Sequence, residues 1–250
     1  MAEIVFMPGD RCEVGGLRFR FGPPGPQTTP DEAYLCKDRA FLDGYIATLP
    51  GLAPRRVLEF GILQGGSALF LTRLLDLERL VCIDLAPPAP GFEAALDAHG
   101  LRGRIRPHWG VSQDDAARVR AILARDFADG PPDLIIDDAS HQLEPTRRAF
   151  EIAFPALRKG GHYIIEDWSW AHWAETQDGR AWSTTIPPDA PALTNLLFDL
   201  VMFLPSTGLI ERIEVRQGYV VIEKSHRDIE TAAFSLDALI RSRGRRPGLI

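Results

Sequence analysis

The sequence predicts an α/β fold built on a doubly wound, mostly parallel sheet. Three observations predict it. Short, near-continuous apolar runs such as Leu134-Ile135-Ile136 and Tyr163-Ile164-Ile165 alternate with helix-length segments, the order that buries a parallel sheet under helices on both faces. Two of those runs switch abruptly to acid, at Asp137-Asp138 and at Glu166-Asp167. Near the end, residues 210–215 and 219–223 flank Arg216-Gln217-Gly218, a hairpin signal that adds an antiparallel pair at one sheet edge. With five parallel strands before it, the hairpin brings the count to seven.

The elements follow in order. Residues 1–28 are irregular and rich in Gly and Pro, with Phe21-Gly22-Pro23-Pro24-Gly25-Pro26 as the clearest breaker. They read as an N-terminal arm or a short hairpin. Thr29-Pro30-Asp31-Glu32 predicts a helix start, with a hydroxyl cap, Pro at the first position and acids in the first turn. That helix is expected to run to about residue 49 and to stop at Pro50-Gly51. Strands are then predicted at 56–60, 80–84, 104–108, 133–137 and 163–166, with helices at 65–75, 91–98, 114–127 and 144–157. The last helix should kink before Pro155, and Gly160-Gly161 stops it. No repeat or linker divides the body. The expected organisation is an arm at 1–28, one domain at 29–228, and a C-terminal helix with a basic tail at 229–250.

Composition narrows the class. The 250 residues are 45% hydrophobic and 25% charged, ordinary values for a globular chain. The net charge is -6 and no basic stripe crosses the body, which argues against a nucleic-acid partner. The basic cluster Arg241-Ser242-Arg243-Gly244-Arg245-Arg246 reads as a solvated terminus. Three scattered cysteines, Cys12, Cys36 and Cys82, fit neither a disulfide framework nor a zinc site. No apolar run is long enough to span a membrane, and no signal peptide is visible. The expected location is the cytoplasm.

The chemistry gathers at strand ends. Adjacent strands lie about 4.8 Å apart, so Asp137, Asp138, Glu166 and Asp167, with His141 nearby, can converge. Clustered carboxylates repel unless a proton or cation intervenes. An oxygen-only set suits a hard divalent ion such as Mg²⁺, Mn²⁺ or Ca²⁺. The alternative for each acid is a helix cap or a ladder end. A second signal is Glu59-Phe60-Gly61-Ile62-Leu63-Gln64-Gly65-Gly66-Ser67, a glycine turn between strand and helix. Such a turn lets backbone approach a ligand, and the helix start offers N–H donors. Its Gly-x-x-x-Gly-Gly spacing is not the dinucleotide fingerprint, and no Lys-Ser/Thr follows for a P-loop. A merely tight turn is the competing reading. Asp84 ends the second strand, where an acid can accept both ribose hydroxyls or simply cap the turn before Pro87-Pro88.

These residues together resemble a class I S-adenosylmethionine-dependent methyltransferase. The resemblance is carried by Glu59-Phe60-Gly61, Gly65-Gly66-Ser67, Ile83-Asp84, Asp137-Asp138-Ala139-Ser140-His141 and Glu166-Asp167-Trp168. The branch it is most similar to holds the macrocin- and mycinamicin-type sugar O-methyltransferases and the cephalosporin-hydroxylase-like proteins. The similarity covers about residues 30–225 and implies a Rossmann-like sheet. It implies that Gly61, Gly65, Gly66 and Ser67 wrap the methionine end of S-adenosylmethionine, that Glu59 orients that turn, and that Asp84 holds the ribose. Gly110-Val111-Ser112-Gln113-Asp114 matches a motif that usually reads Gly-Asp-Ser, so Ser112 and Gln113 would lie near the adenine, with Val111 replacing the usual acid. Asp138, Glu166 and Asp167 would ligate a divalent metal, Mg²⁺ by the family pattern. Asp137, on the opposite side of its strand, would face the cofactor or support the site. His141 would be the general base, with Asp138 beside it in the catalytic set.

Four tryptophans, Trp168, Trp170, Trp173 and Trp182, follow the fifth strand in a long segment without periodicity. Long connections often bind ligands, and aromatics suit a sugar-like or flat acceptor. Trp168, Trp170 and Trp173 are the expected substrate contacts; an oligomer interface or core packing competes with that reading, and family members are commonly homo-oligomers. The functional expectation is a metal-dependent O-methyltransferase acting on a hydroxyl of a small specialised metabolite, sugar or phenolic, in natural-product biosynthesis such as that of antibiotics. The competing expectations are a hydroxylase or cyclisation catalyst on the same scaffold, and a cofactor-binding protein without catalysis.

Overall fold

The computed structural model describes residues 2–23, 25–174, 189–229, 234–245 and 248–250. The chain divides into two compact units, Met1–Ser112 and Gln113–Ile250.

The first unit opens with a four-stranded sheet in the order β1 (Ile4–Met7), β2 (Arg11–Val14), β3 (Leu17–Phe21), β4 (Glu32–Leu35). This replaces the expected arm or short hairpin. The residues explain it. Leu17, Phe19 and Phe21 are buried while Arg18 and Arg20 between them are exposed, the period of a half-buried strand. Gly15 and Gly16 both take positive φ, 54° and 75°, and close the Val14–Leu17 pair as a primed two-residue turn needs. The helix expected from Thr29 is also corrected. Thr28 Oγ1 accepts the Tyr34 N–H at 3.0 Å and Thr29 Oγ1 accepts the Glu32 N–H at 3.1 Å. Those hydroxyls organise a turn into β4, which runs parallel to β3. Helix α1 (Arg39–Leu52) starts later, where the Asp38 carboxylate accepts the Phe41 N–H at 2.7 Å. It runs through Pro50 and ends on Ala53 in the left-handed region.

From there β5 (Arg56–Phe60), α2 (Gly66–Leu75), β6 (Arg79–Asp84), α3 (Pro90–Ala98) and β7 (Ile105–Trp109) match the predicted alternation to within a residue at each boundary. Strands β5, β6 and β7 are parallel. Helix α2 buries Ala68, Leu69, Phe70, Leu71 and Leu74, so it is covered nearly all round.

The second unit contains α4 (Ala116–Asp126), β8 (Leu134–Asp137), α5 (Leu143–Ala153), β9 (His162–Glu166), a helix α6 (Thr194–Thr207), the hairpin β10 (Ile210–Val215) and β11 (Tyr219–Lys224), and α7 (Leu236–Leu239). Helix α5 ends at Ala153, short of the expected residue 157, and a 3₁₀ turn at Phe154–Ala156 follows around Pro155, which has no N–H to offer the helical ladder. Helix α6 was not foreseen. Its Leu196-Leu197-Phe198 run and Pro205 hide the helical period. The expected C-terminal helix is only four residues long. Strand β9 pairs parallel with β8 and antiparallel with β11. The larger sheet has the order β10-β11-β9-β8-β5-β6-β7, the mostly parallel seven-stranded sheet that the sequence predicts.

Packing behind β8 and β9 bears directly on the acids at their ends. Phe150 stacks on Phe154 at 4.6 Å and meets Tyr163 edge-on at 5.0 Å, contacts worth about 0.5–1.5 kcal/mol each beyond burial. They lock the Tyr163 ring between α5 and the sheet. No helix among the described residues is long and apolar enough to cross a membrane.

Candidate functional site

In the first unit, the turn after β5 carries the predicted glycines. Gly61 and Gly65 take φ of 96° and 74°, open to glycine at little cost. A Cβ on Gly65 would enter the Phe92 ring, and one on Gly66 would enter the Tyr34 carbonyl. Both glycines are therefore demanded by packing, whatever binds above them. Gly65 is also the N-cap of α2 and places no side chain over the first-turn N–H groups, among which Ser67 lies half-buried. Such a helix start attracts anionic groups. Glu59 is fully buried on β5, in register with Cys82.

Asp84 laces two turns together. Its Oδ2 accepts the N–H groups of Ile62 at 2.7 Å and Leu63 at 2.9 Å, and its Oδ1 accepts that of Ala86 at 2.8 Å. A carboxylate has about four lone-pair sites, so capacity for a further donor remains. Leu63 holds φ of 50° and is 57% exposed; the Asp84 clamp accounts for that conformation. Ser112 is half-buried at the end of this unit.

In the second unit, β8 and β9 end as expected in Asp137-Asp138 and Glu166-Asp167. The structure brings together Asp138, His141 and Asp167, whose ligand atoms lie within 4.8 Å of one another. His141 Nε2 is 3.9 Å from Asp138 Oδ1 and 4.0 Å from Asp167 Oδ2. Glu166 does not join this trio; it is 2% exposed and pairs across the sheet with Tyr219. The physical reason lies one residue on. Asp167 takes φ of 50°, which turns the chain out of the strand and swings its carboxylate to the side facing Asp138. Its N–H is held by the Gly218 carbonyl at 2.8 Å. His141 takes φ of 54°. Strained backbone of this kind clusters at functional sites.

Asp137 is not part of the trio. It is 2% exposed, and burial pushes its carboxyl up to about 8. Gln113 Nε2 lies 3.1 and 3.2 Å from its two oxygens, and the Tyr163 hydroxyl donates to Oδ2 at 3.3 Å. The Oε1 of Gln113 accepts the Ser140 N–H at 2.9 Å. Gln113, expected at the adenine, thus ties the end of β8 to the segment carrying His141, and Asp137 supports that segment. The partnership of Gln113 and Tyr163 with Asp137 was not foreseen. Its trace in the sequence is the phenol of Tyr163 beside Ile164 and Ile165.

Trp168, Trp170 and Trp173 use their N–H groups within this unit. Trp168 Nε1 donates to the Arg216 carbonyl at 2.8 Å, Trp170 Nε1 to the His141 carbonyl at 2.9 Å, and Trp173 Nε1 to Ser169 Oγ at 3.0 Å. Trp168 and Trp173 remain half-buried, whereas Trp170 is 7% exposed. Trp182 lies outside the described residues.

Residues 58–168 match the family model of a methyltransferase domain. The chain is 50% identical over 83 residues to demethylmacrocin O-methyltransferase of Streptomyces fradiae, covering 33% of this chain and 20% of that one. It is 38% identical over 122 residues to 8-demethyl-8-(2-methoxy-alpha-L-rhamnosyl)-tetracenomycin-C 3'-O-methyltransferase of Streptomyces olivaceus, covering 46% and 28%. Among solved structures it is similar to the MycE methyltransferase from the mycinamycin pathway in complex with Mg, SAH and mycinamycin VI. The TM-score is 0.51 and the identity 26%, with 75% of this chain and 48% of that one covered. The chain thus spans about half the length of that structure and less of the curated relatives.

Proposed function

We propose that this chain, whose residues 58–168 match a methyltransferase-domain model, is a class I S-adenosylmethionine-dependent enzyme that methylates a hydroxyl of a small glycosylated metabolite. The observation that carries this reading is the convergence of Asp138, His141 and Asp167 at the ends of β8 and β9. The sugar acceptor is supported by relatives whose names specify O-methylation of a rhamnosyl tetracenomycin and of demethylmacrocin.

The residues present fit both implied groups. The α2 start without a capping side chain and the spare capacity of Asp84 suit the donor's charged and hydroxyl ends. The carboxylates of Asp138 and Asp167 suit Mg²⁺ or Mn²⁺. When bound, S-adenosylmethionine supplies a methyl on a cationic sulfur, and the divalent ion supplies the positive charge that acidifies an alcohol. Gly61, Gly65, Gly66 and Ser67 approach the donor's methionine end, Glu59 sets the turn, and Asp84 takes the ribose. Asp138 and Asp167 hold the cation. His141 Nε2 takes the hydroxyl proton, a task matched to an imidazole. The half-exposed rings of Trp168 and Trp173 border the acceptor. A homo-oligomer is proposed with it, supported by Phe198 and Val201 of α6, which are 39% and 58% exposed.

A second reading makes His141 a ligand to the cation, because its Nε2 lies inside the trio. Calorimetry with S-adenosylhomocysteine and Mg²⁺, with and without chelator, tests both. Absence of S-adenosylhomocysteine binding overturns the donor assignment. Methyl transfer that is indifferent to chelator removes the metal. In His141→Ala, lost turnover with retained Mg²⁺ affinity supports the base; lost Mg²⁺ affinity supports the ligand.

A further inference from the structure

The segment carrying His141 needs something to hold it. A non-glycine residue at φ of 54° persists only where its surroundings over-determine the backbone. Two side chains grip this stretch from either side. Gln113 Oε1 accepts the N–H of Ser140 at 2.9 Å, and Trp170 Nε1 donates to the carbonyl of His141 itself at 2.9 Å. Trp170 is placed to be a fixed donor. It is 7% exposed, it opens the 3₁₀ turn Trp170–His172, and its own N–H bonds the Asp167 carbonyl at 3.3 Å. Asp167 and Trp170 follow β9, whereas Asp138 and His141 follow β8. The indole therefore joins the two segments that supply the trio.

We propose that Trp170 is a positioning residue: its indole N–H holds the His141 carbonyl and so fixes the left-handed turn that aims the imidazole at Asp138 and Asp167. This role differs from stacking on the acceptor. Its kinetic meaning rests on the methyl-transfer reading; its geometric meaning does not.

Trp170→Phe removes the N–H and keeps an aromatic ring. A benzothienylalanine at position 170 keeps the bicyclic shape and removes the N–H alone, which separates the hydrogen bond from packing should the phenylalanine variant fail to fold. The expected result is an unchanged affinity for S-adenosylhomocysteine, displaced or broadened His141 imidazole signals in histidine-labelled NMR, and a kcat about 10- to 100-fold lower, the usual effect of removing a partner that orients a ligand or base. In a His141→Ala background the same replacement should lower kcat no further. Unmoved imidazole signals in the folded benzothienylalanine protein overturn the proposal, as does a full additional loss in the His141→Ala background. If the unaltered chain transfers no methyl group, the functional reading fails by itself, and the imidazole signals alone decide the role of Trp170.

Discussion

Asp137 and Asp138 are neighbours with opposite surroundings. Asp138 belongs to the trio, with its side chain 24% exposed. Asp137 is buried, and burial raises its carboxyl from 3.8 to about 8 despite donors from Tyr163, Ala139 and Gln113. A raised carboxyl pKa means that the folded chain keeps a proton which the unfolded chain has released between those two values. The stability from this group is fully present below about pH 4 and is lost as pH rises through about 8. Asp137→Asn is neutral throughout and should flatten that decline in thermal unfolding followed from acid to alkaline pH. A decline as steep as in the unsubstituted protein would refute the burial argument. At this scale the sequence showed that acids stand at the strand ends, because an apolar run ending in Asp is visible locally. It did not show that Gln113 bonds Asp137, since that contact joins residues far apart along the chain.

Elements show which local signals survive packing. Strand-helix alternation was legible from β5 to β9 because apolar period and turn residues act within a few positions. The β1–β4 sheet was hidden by its own glycines and prolines, although Gly15-Gly16 between Val14 and Leu17 is a hairpin signal in hindsight. The glycine turn before α2 has a structural duty that sequence could not separate from ligand binding. Gly66→Ala drives a methyl into the Tyr34 carbonyl and should destabilise by ~1–3 kcal/mol, read by urea unfolding with no ligand present; an unchanged midpoint would show that β4 yields. At the far end of β11, Lys224 is 4% exposed, and its Nζ donates to the Pro155 carbonyl at 2.9 Å and to that of Leu157. It thus caps the turn that ends α5, and burial lowers its pKa to about 8. Lys224→Met leaves those carbonyls without this donor and should cost about 1–3 kcal/mol. Equal denaturation midpoints for the two proteins would dismiss the cap.

For the molecule as a whole, a cation held by the folded trio and not by the unfolded chain must raise stability. Saturation at 100 times the dissociation constant contributes about 2.7 kcal/mol. Addition of Mg²⁺ or Mn²⁺ should therefore raise the unfolding temperature, chelator should return it, and Asp138→Ala or Asp167→Ala should abolish the increment. An increment that survives both substitutions would place the ion elsewhere. The sequence by itself determined the α/β class, the seven strands of the larger sheet, the hairpin edge and the strand ends that bear acid. These follow from hydrophobic period and turn chemistry, which are properties of short segments. Only the tertiary structure decided which carboxylates meet. Left-handed backbone at His141 and Asp167 brings Asp138, His141 and Asp167 together and leaves Glu166 and Asp137 buried. The direction of a side chain at the end of a strand depends on what grips the following loop, and here the grips on Ser140, His141 and Asp167 come from Gln113, Trp170 and Gly218, residues remote in sequence.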